Sequence, residues 1–201
     1  FVLATPDAPL LAAVTVMLVA LDGAFAAPYR SAEAVRWWCA AGVMLGVGMC
    51  TKYTAVLLPF GVFVAMVVHP RLRKRLGEPG PYVATIIAAV IFLPVLFWNA
   101  RHEWISFAFQ VRHGLGTPKG SAVTRELNLV GGQLGLVSPI LAVMTAMAVV
   151  RALQFGGGKG DAGQARDDRR FAVAAIASAI FGFFVYSALR KPVEANWPAP
   201  A

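Results

Sequence analysis

Apolar residues in this chain gather into six long runs, at about 9–27, 35–51, 54–69, 82–98, 127–150 and 171–189, separated by short polar joints. A bilayer's hydrocarbon core takes about 20 residues of α-helix to cross. The runs approach that length. They show neither the alternation of a half-buried strand nor the stripe of a helix with one wet face. The pattern predicts an all-α, polytopic transmembrane helix bundle of about six membrane helices. Residues 1–201 are read as a single transmembrane domain. Asp22 lies near the far end of the first run, within reach of the interface. Gly42 and Gly46 in the second run, and Gly131 and Gly135 in the fifth, have the small-xxx-small spacing that lets helices approach closely. The plainer reading is that glycine is common in membrane helices.

Composition narrows the class. Hydrophobic residues make up 58% of the 201 and charged residues 14%. Soluble domains carry about 25% charged residues, so a soluble enzyme or a disordered chain is excluded. Cys39 and Cys50 share one run, and eleven helical residues would hold them ~16 Å apart, too far for a disulfide. The opening run lacks the basic start of a signal peptide. The chain starts at Phe1 and stops at Ala201 after a Pro-rich stretch, which reads as a piece of a longer protein truncated at both ends.

The net charge of +8 would suggest nucleic acid in a soluble domain. Here the basic residues sit in the joints between runs, where the positive-inside rule accounts for them, and no nucleic-acid partner is expected. Arg30, Arg36, Arg71, Arg73, Lys74, Arg75, Arg151, Lys159, Arg166, Arg169 and Arg170 fall on one side, eleven in all. Lys52, Arg101, Arg112, Lys119, Arg125, Arg190 and Lys191 fall on the other, seven in all. The first side is expected to be cytoplasmic. Its loops read as topology signals, and Gly156–Gly160 reads as a flexible linker without phosphate-loop spacing.

The unusual polar residues are expected on the other, non-cytoplasmic face. Asp7 stands between Pro6 and Pro9 at the mouth of the first run. Helix capping accounts for it in part; binding of a hydroxyl, an amine or a metal is the second reading. Lys52 sits in the hairpin Thr51-Lys52-Tyr53-Thr54. It either snorkels to the interface or supplies a point charge to a phosphate. Within the 99–126 outer loop, Glu103, Ser106, Gln110 and His113 fall on one helical stripe, and Trp104, Phe107, Ala108, Val111 and Leu115 on the opposite one. That is an interfacial amphipathic helix, serving as an aromatic anchor or as a platform for a lipid headgroup. Past the last run lie Arg190, Lys191, Glu194, Asn196 and Trp197. Anchoring explains the cations and the indole but not the carboxylate and amide. His102 and His113 are too far apart on one helix to share a metal, and no cofactor is demanded; a divalent cation on Asp7 or Glu194 stays open.

Six segments in order carry a resemblance: Thr-Pro-Asp-Ala-Pro-Leu at 5–10, Thr-Lys-Tyr-Thr-Ala at 51–55, Pro-Val-Leu-Phe-Trp-Asn-Ala at 94–100, His-Glu-Trp-Ile-Ser-Phe at 102–107, Gly-Gly-Gln-Leu-Gly-Leu-Val-Ser-Pro at 131–139 and Glu-Ala-Asn-Trp-Pro-Ala-Pro-Ala at 194–201. The chain resembles polytopic glycosyltransferases of the family 39, GT-C type. These are related to dolichyl-phosphate-mannose–protein mannosyltransferases and to the lipid A aminoarabinose transferase.

The resemblance implies an integral-membrane enzyme of the bacterial inner membrane, working on the periplasmic face. It would move a sugar from a polyprenyl-phosphate donor to an envelope acceptor, protein or lipid, with inversion. It implies donor-phosphate contacts from Lys52, Arg112, His113, Arg190 and Lys191, and an acidic position at Asp7. It further implies substrate contacts from Tyr53, Asn99, His102, Glu103, Trp104, Gln110, Glu194, Asn196 and Trp197. The family's principal acidic loop has no counterpart ahead of Asp7, so this stretch alone is expected to be inactive. A transporter or flippase for an anionic lipid or solute is the alternative, disfavoured because the runs carry almost no polar group near their middles. A structural subunit without chemistry is the third reading.

Overall fold

A computed structural model describes residues 7–115, 121–154 and 160–190, with side chains for all but 113–115 and 160–162 of these. The described residues form helices and turns throughout. The helices are α1 (Asp7–Ala26), α2 (Ala32–Thr51), α3 (Leu57–Val68), α4 (Pro70–Arg73), α5 (Gly80–Arg101), α6 (Ile105–Leu115), α7 (Ala122–Val137), α8 (Pro139–Leu153) and α9 (Gly160–Ala188), with single 3-10 turns at Tyr53–Val56 and Lys74–Gly77. Four helices are long and apolar enough to cross a membrane, or up to six spans if each of two bent pairs is counted as one. The protein is thus a polytopic transmembrane helix bundle.

Local chemistry sets the breaks. Ser31 starts α2 by accepting the Ala34 N–H on its hydroxyl at 3.0 Å. Pro70 forces His69 into extended backbone, ends α3 and opens α4 at the position where a missing N–H costs nothing. The segment that follows turns 106° away from α3. Pro139 likewise opens α8 at its first position, after Ser138, whose φ of 72° and ψ of 138° reverse the chain. The result corrects the sequence expectation at 127–150. That run is not one straight helix but two, α7 and α8, bent by 105°. Apolarity persists across the joint, so hydropathy alone could not see it.

Lipid tails are as apolar as leucine, so helices in a bilayer hold together by close packing more than by exclusion of water. α2 and α5 show this. A Cβ added at Gly42 would fall 2.5 Å from the Ala84 carbonyl oxygen, and one at Gly46 would fall 2.7 Å from Ile91 Cβ. The small-residue spacing in the second run therefore does pack. The spacing in the fifth meets no such partner among the described residues, none of which lies within 4 Å of a Cβ built at Gly131 or Gly135.

The contacts also fix directions. Trp38 lies over Gly80, Gly42 over Ala84 and Gly46 over Ala88, so α2 and α5 run parallel. Trp37 lies against Gly23 while Leu10 and Ala13 approach Gly48, so α1 and α2 are antiparallel. Gly61 meets Ile176 and His69 meets Asp168, so α3 and α9 are antiparallel. The starts of α1 and α3 and the ends of α2, α5 and α9 consequently share one end of the bundle. The buried core joins Leu10, Met17, Trp38, Leu58, Met66, Ile180 and Phe184. Ile86, Val90, Leu93 and Phe97 leave an apolar stripe of α5 exposed, as a lipid-facing surface requires.

Candidate functional site

Asp7 begins α1, and Lys52 is the extended residue that ends α2. The antiparallel packing of the two helices brings them together. Lys52 Nζ donates to Asp7 Oδ1 at 2.7 Å, with the two side chains 19% and 18% exposed. Lys52 therefore does not merely snorkel. Its one described partner is Asp7, and an ammonium has two further N–H donors.

Next to Lys52, Tyr53 links α2 to α5 and α6. Asn99, fully buried near the end of α5, donates through Nδ2 to Val95 O at 2.9 Å and to Tyr53 Oη at 3.5 Å. Its Oδ1 has no hydrogen-bond partner among the described residues, and neither does the buried Thr54 Oγ1. Two unanswered polar atoms flanking the Lys52 hairpin are what a polar ligand or ordered water would meet. Tyr53 stacks on Phe107 at 5.2 Å and meets Phe92 edge-on at 6.1 Å. Those rings seat α6 against the bundle.

The chain reaches α6 through a strained reversal. Asn99 O accepts the N–H of both His102 and Trp104, and Glu103 and Trp104 take φ of 54° and 56°. Glu103 and Trp104 thus lie in the turn rather than on the α6 stripes expected for them; Ser106 and Gln110 do lie on that helix. His102 stacks on Trp98 at 4.0 Å and makes a 2.6 Å hydrogen bond between Nδ1 and Trp98 O. Trp104 tilts against Phe107 at 5.8 Å and stays exposed. Gln110 and Arg112 are exposed on α6. Arg190 lies just past α9, 5.9 Å from the Tyr186 ring. The structure therefore groups Asp7, Lys52, Tyr53 and Asn99 directly, and brings α6 to them through Phe107. The His113 side chain and Lys191, Glu194, Asn196 and Trp197 lie outside the described residues. Among the described residues no three His, Cys, Asp or Glu side chains converge as a metal centre would need.

Sequence reasoning missed two features. Arg125 reads as a loop charge, yet it is 5% exposed and donates through Nε to Ala188 O at 2.7 Å and through a terminal nitrogen to Leu189 O at 2.5 Å. It caps the end of α9, where unpaired carbonyls gather. The signal was its place beside Glu126 at the start of an apolar run. The second feature is the opposite end of the bundle, whose charges are not topology signals alone. Buried Glu78 accepts from Arg75 at 2.8 Å and from the Arg30 N–H at 2.9 Å. Arg75 also donates to Phe25 O and Ala27 O, closing the end of α1. Asp168 pairs with Arg71 at 2.9 Å and approaches His69 at 3.4 Å, and Asp22 pairs with Arg169 at 2.9 Å. One acid within a run of bases, as at Glu78, was the available clue.

Residues 1–98 match a family model described as dolichyl-phosphate-mannose-protein mannosyltransferase. A lipid A galacturonosyltransferase, RgtD, of Rhizobium johnstonii is 24% identical over 160 residues, 80% of this chain and 32% of the relative. A lipopolysaccharide core galacturonosyltransferase, RgtB, of the same organism is 36% identical over 58 residues, 29% of this chain and 12% of the relative. The chain spans about a third or less of the length of these curated relatives. No solved structure matches it. The resemblance read from the six motifs, to polytopic glycosyltransferases of the GT-C type, is borne out by these matches.

Proposed function

We propose that the protein transfers a sugar from a polyprenyl-phosphate donor to an envelope acceptor, with inversion, on the non-cytoplasmic face of the membrane. The observation that carries the reading is the ion pair of Lys52 with Asp7, set beside the part-buried Tyr53–Asn99 contact at one end of a membrane bundle. The basic side chains of the other end outnumber those around this one, which supports a non-cytoplasmic position for the pair. The names of the relatives support lipid A or the lipopolysaccharide core as the acceptor class and a uronic acid as the sugar.

In this reaction an acceptor hydroxyl attacks the anomeric carbon from the face opposite the lipid phosphate. The carbon–oxygen bond to the phosphate breaks, its electrons stay on the phosphate oxygen, and a carboxylate takes the hydroxyl proton. Negative charge builds on the departing phosphate, where preorganised donors act most strongly. Lys52 is the first such donor; Arg112 and Arg190, with His113 and Lys191 outside the described side chains, are the further donor-phosphate contacts. Asp7 holds the ammonium in place and supplies the site's acidic position. Tyr53, Asn99, His102, Glu103, Trp104 and Gln110, with Glu194, Asn196 and Trp197 of the tail, form the substrate wall.

The test is transfer of label from a radiolabelled polyprenyl-phosphate sugar to lipid A in reconstituted full-length protein. Turnover in wild type and its loss in Lys52→Ala support the reading. Movement of the lipid across the bilayer without transfer to any acceptor would replace it with transport.

A further inference from the structure

A crevice of about 180 Å3 separates α3 from the unit formed by α1, α2 and α5. Leu21, Trp38, Leu45, Met66 and Tyr82 are among its walls, which places it toward the end of the bundle away from Lys52. Its hydroxyl groups are answered within the protein: Thr85 donates to Pro81 O and Tyr82 to Leu76 O, both at 2.9 Å. The exception is the buried Trp38 indole N–H, which has no acceptor among the described residues. A space so poor in polar partners does not hold water well.

Leu76 carries this crevice to the basic segment 70–77, which turns across the end of the bundle. In that segment Leu72 is buried while Arg71, Arg73 and Lys74 are exposed. Arg71 pairs with Asp168, and Arg73 donates to Val67 O. The Lys74 side chain, two residues before Leu76, has no hydrogen bond or ion pair among the described residues; its backbone N–H is held by the Arg71 and Leu72 carbonyls. An apolar slot thus ends at a cationic rim, on an element lying across the bundle as an interfacial segment does.

We propose that this crevice holds one acyl chain of an anionic phospholipid whose phosphate sits on the Arg71–Lys74 rim. The chain fills apolar space that water would leave unsatisfied, and the headgroup answers an excess of positive charge. Each Lys or Arg near an anionic lipid surface strengthens binding about fivefold. The bound lipid tethers α3 to the other sub-bundle at the end opposite the proposed transfer site, and it is distinct from the sugar donor. The inference rests on the transmembrane bundle alone, so it stands or falls separately from the transfer reaction.

The experiment is native mass spectrometry of the full-length protein in a neutral detergent, titrated with dioleoyl phosphatidylglycerol or dioleoyl phosphatidylcholine. The two lipids share their chains and differ in charge. Wild type is expected to retain the anionic lipid about fivefold better. Lys74→Ala removes that preference, Lys74→Arg keeps it, and Thr85→Trp lowers retention of both lipids by filling the crevice from its exposed side. Circular dichroism checks that each variant keeps its helices, and only variants that do are compared. Equal retention of the two lipids by wild type overturns the proposal, as does anionic-lipid retention that neither Lys74→Ala nor Thr85→Trp changes. Displacement of the phosphatidylglycerol, one for one, by decaprenyl phosphate also overturns it, assigning the crevice to a polyprenyl lipid.

Discussion

Lys52 Nζ lies 2.7 Å from Asp7 Oδ1, joining the residue that ends α2 to the residue that begins α1. The two are 45 positions apart in sequence, so the pair exists only because the helices pack antiparallel. It fixes the ammonium at the mouth of the bundle with donors to spare.

Removing that ammonium should therefore hurt chemistry more than folding. In Lys52→Ala, transfer from a lipid-phosphate sugar is expected to fall about 100-fold or more, the scale of losing one preorganised donor. Lys52→Arg keeps the charge but changes its shape, and should fall in between. Steady-state transfer assays in proteoliposomes, alongside thermal unfolding, separate the two effects. A Lys52→Ala protein as active as wild type would remove Lys52 from the mechanism.

The seam between α2 and α5 predicts an asymmetry among glycines. Gly42→Leu drives a side chain into the Ala84 backbone and should cost about 1–3 kcal/mol through overpacking. Gly131→Ala meets open space and should leave stability unchanged or raise it by up to about 1 kcal/mol. The midpoint of thermal unfolding in detergent reads both.

Arg125 forks over two carbonyl oxygens at the end of α9. Arg125→Met is expected to destabilise by about 2–3 kcal/mol, the scale of hydrogen bonds to a charged group. Arg125→Lys should recover only part of this, since an ammonium is not a planar fork. Hydrogen exchange of amides near residue 188 should rise in Arg125→Met before it rises elsewhere.

Tyr53 supplies a ring to Phe107 and a hydroxyl to Asn99, and the two roles come apart by substitution. Tyr53→Phe keeps the stack and should change stability by less than about 1 kcal/mol, because the hydroxyl contact is long. Tyr53→Ala removes the stack and should free α6 from the bundle. Limited proteolysis near 103–105, where the backbone already reverses, would then quicken severalfold in Tyr53→Ala and not in Tyr53→Phe.

Most of the helix layout was legible because hydropathy acts over whole runs. The runs at 9–27, 35–51, 82–98 and 171–189 each lie over a long helix, and small residues in the second run marked a true contact. Hydropathy cannot read backbone angle, so the bend at Ser138 was invisible despite Pro139 beside it. In the candidate site, Asp7, Lys52, Tyr53 and Asn99 could be nominated one by one, by residue type and by motif. That Asp7 and Lys52 bond to each other could not be read, because it depends on which helices are neighbours. Arg125 and Glu78 were passed over for a related reason. A charge in a short joint looks solvated until the helix ends it closes are known.

The contacts of Trp38 with Gly80, Gly42 with Ala84 and Gly46 with Ala88 recur every four residues along two parallel helices. Mechanically this is a toothed rack. Any slip smaller than a full turn, about 5.4 Å, pushes a side chain into a notch that has no room for it. Lys52 and Asn99, carried at the upper ends of the two rails, therefore keep a constant relative height.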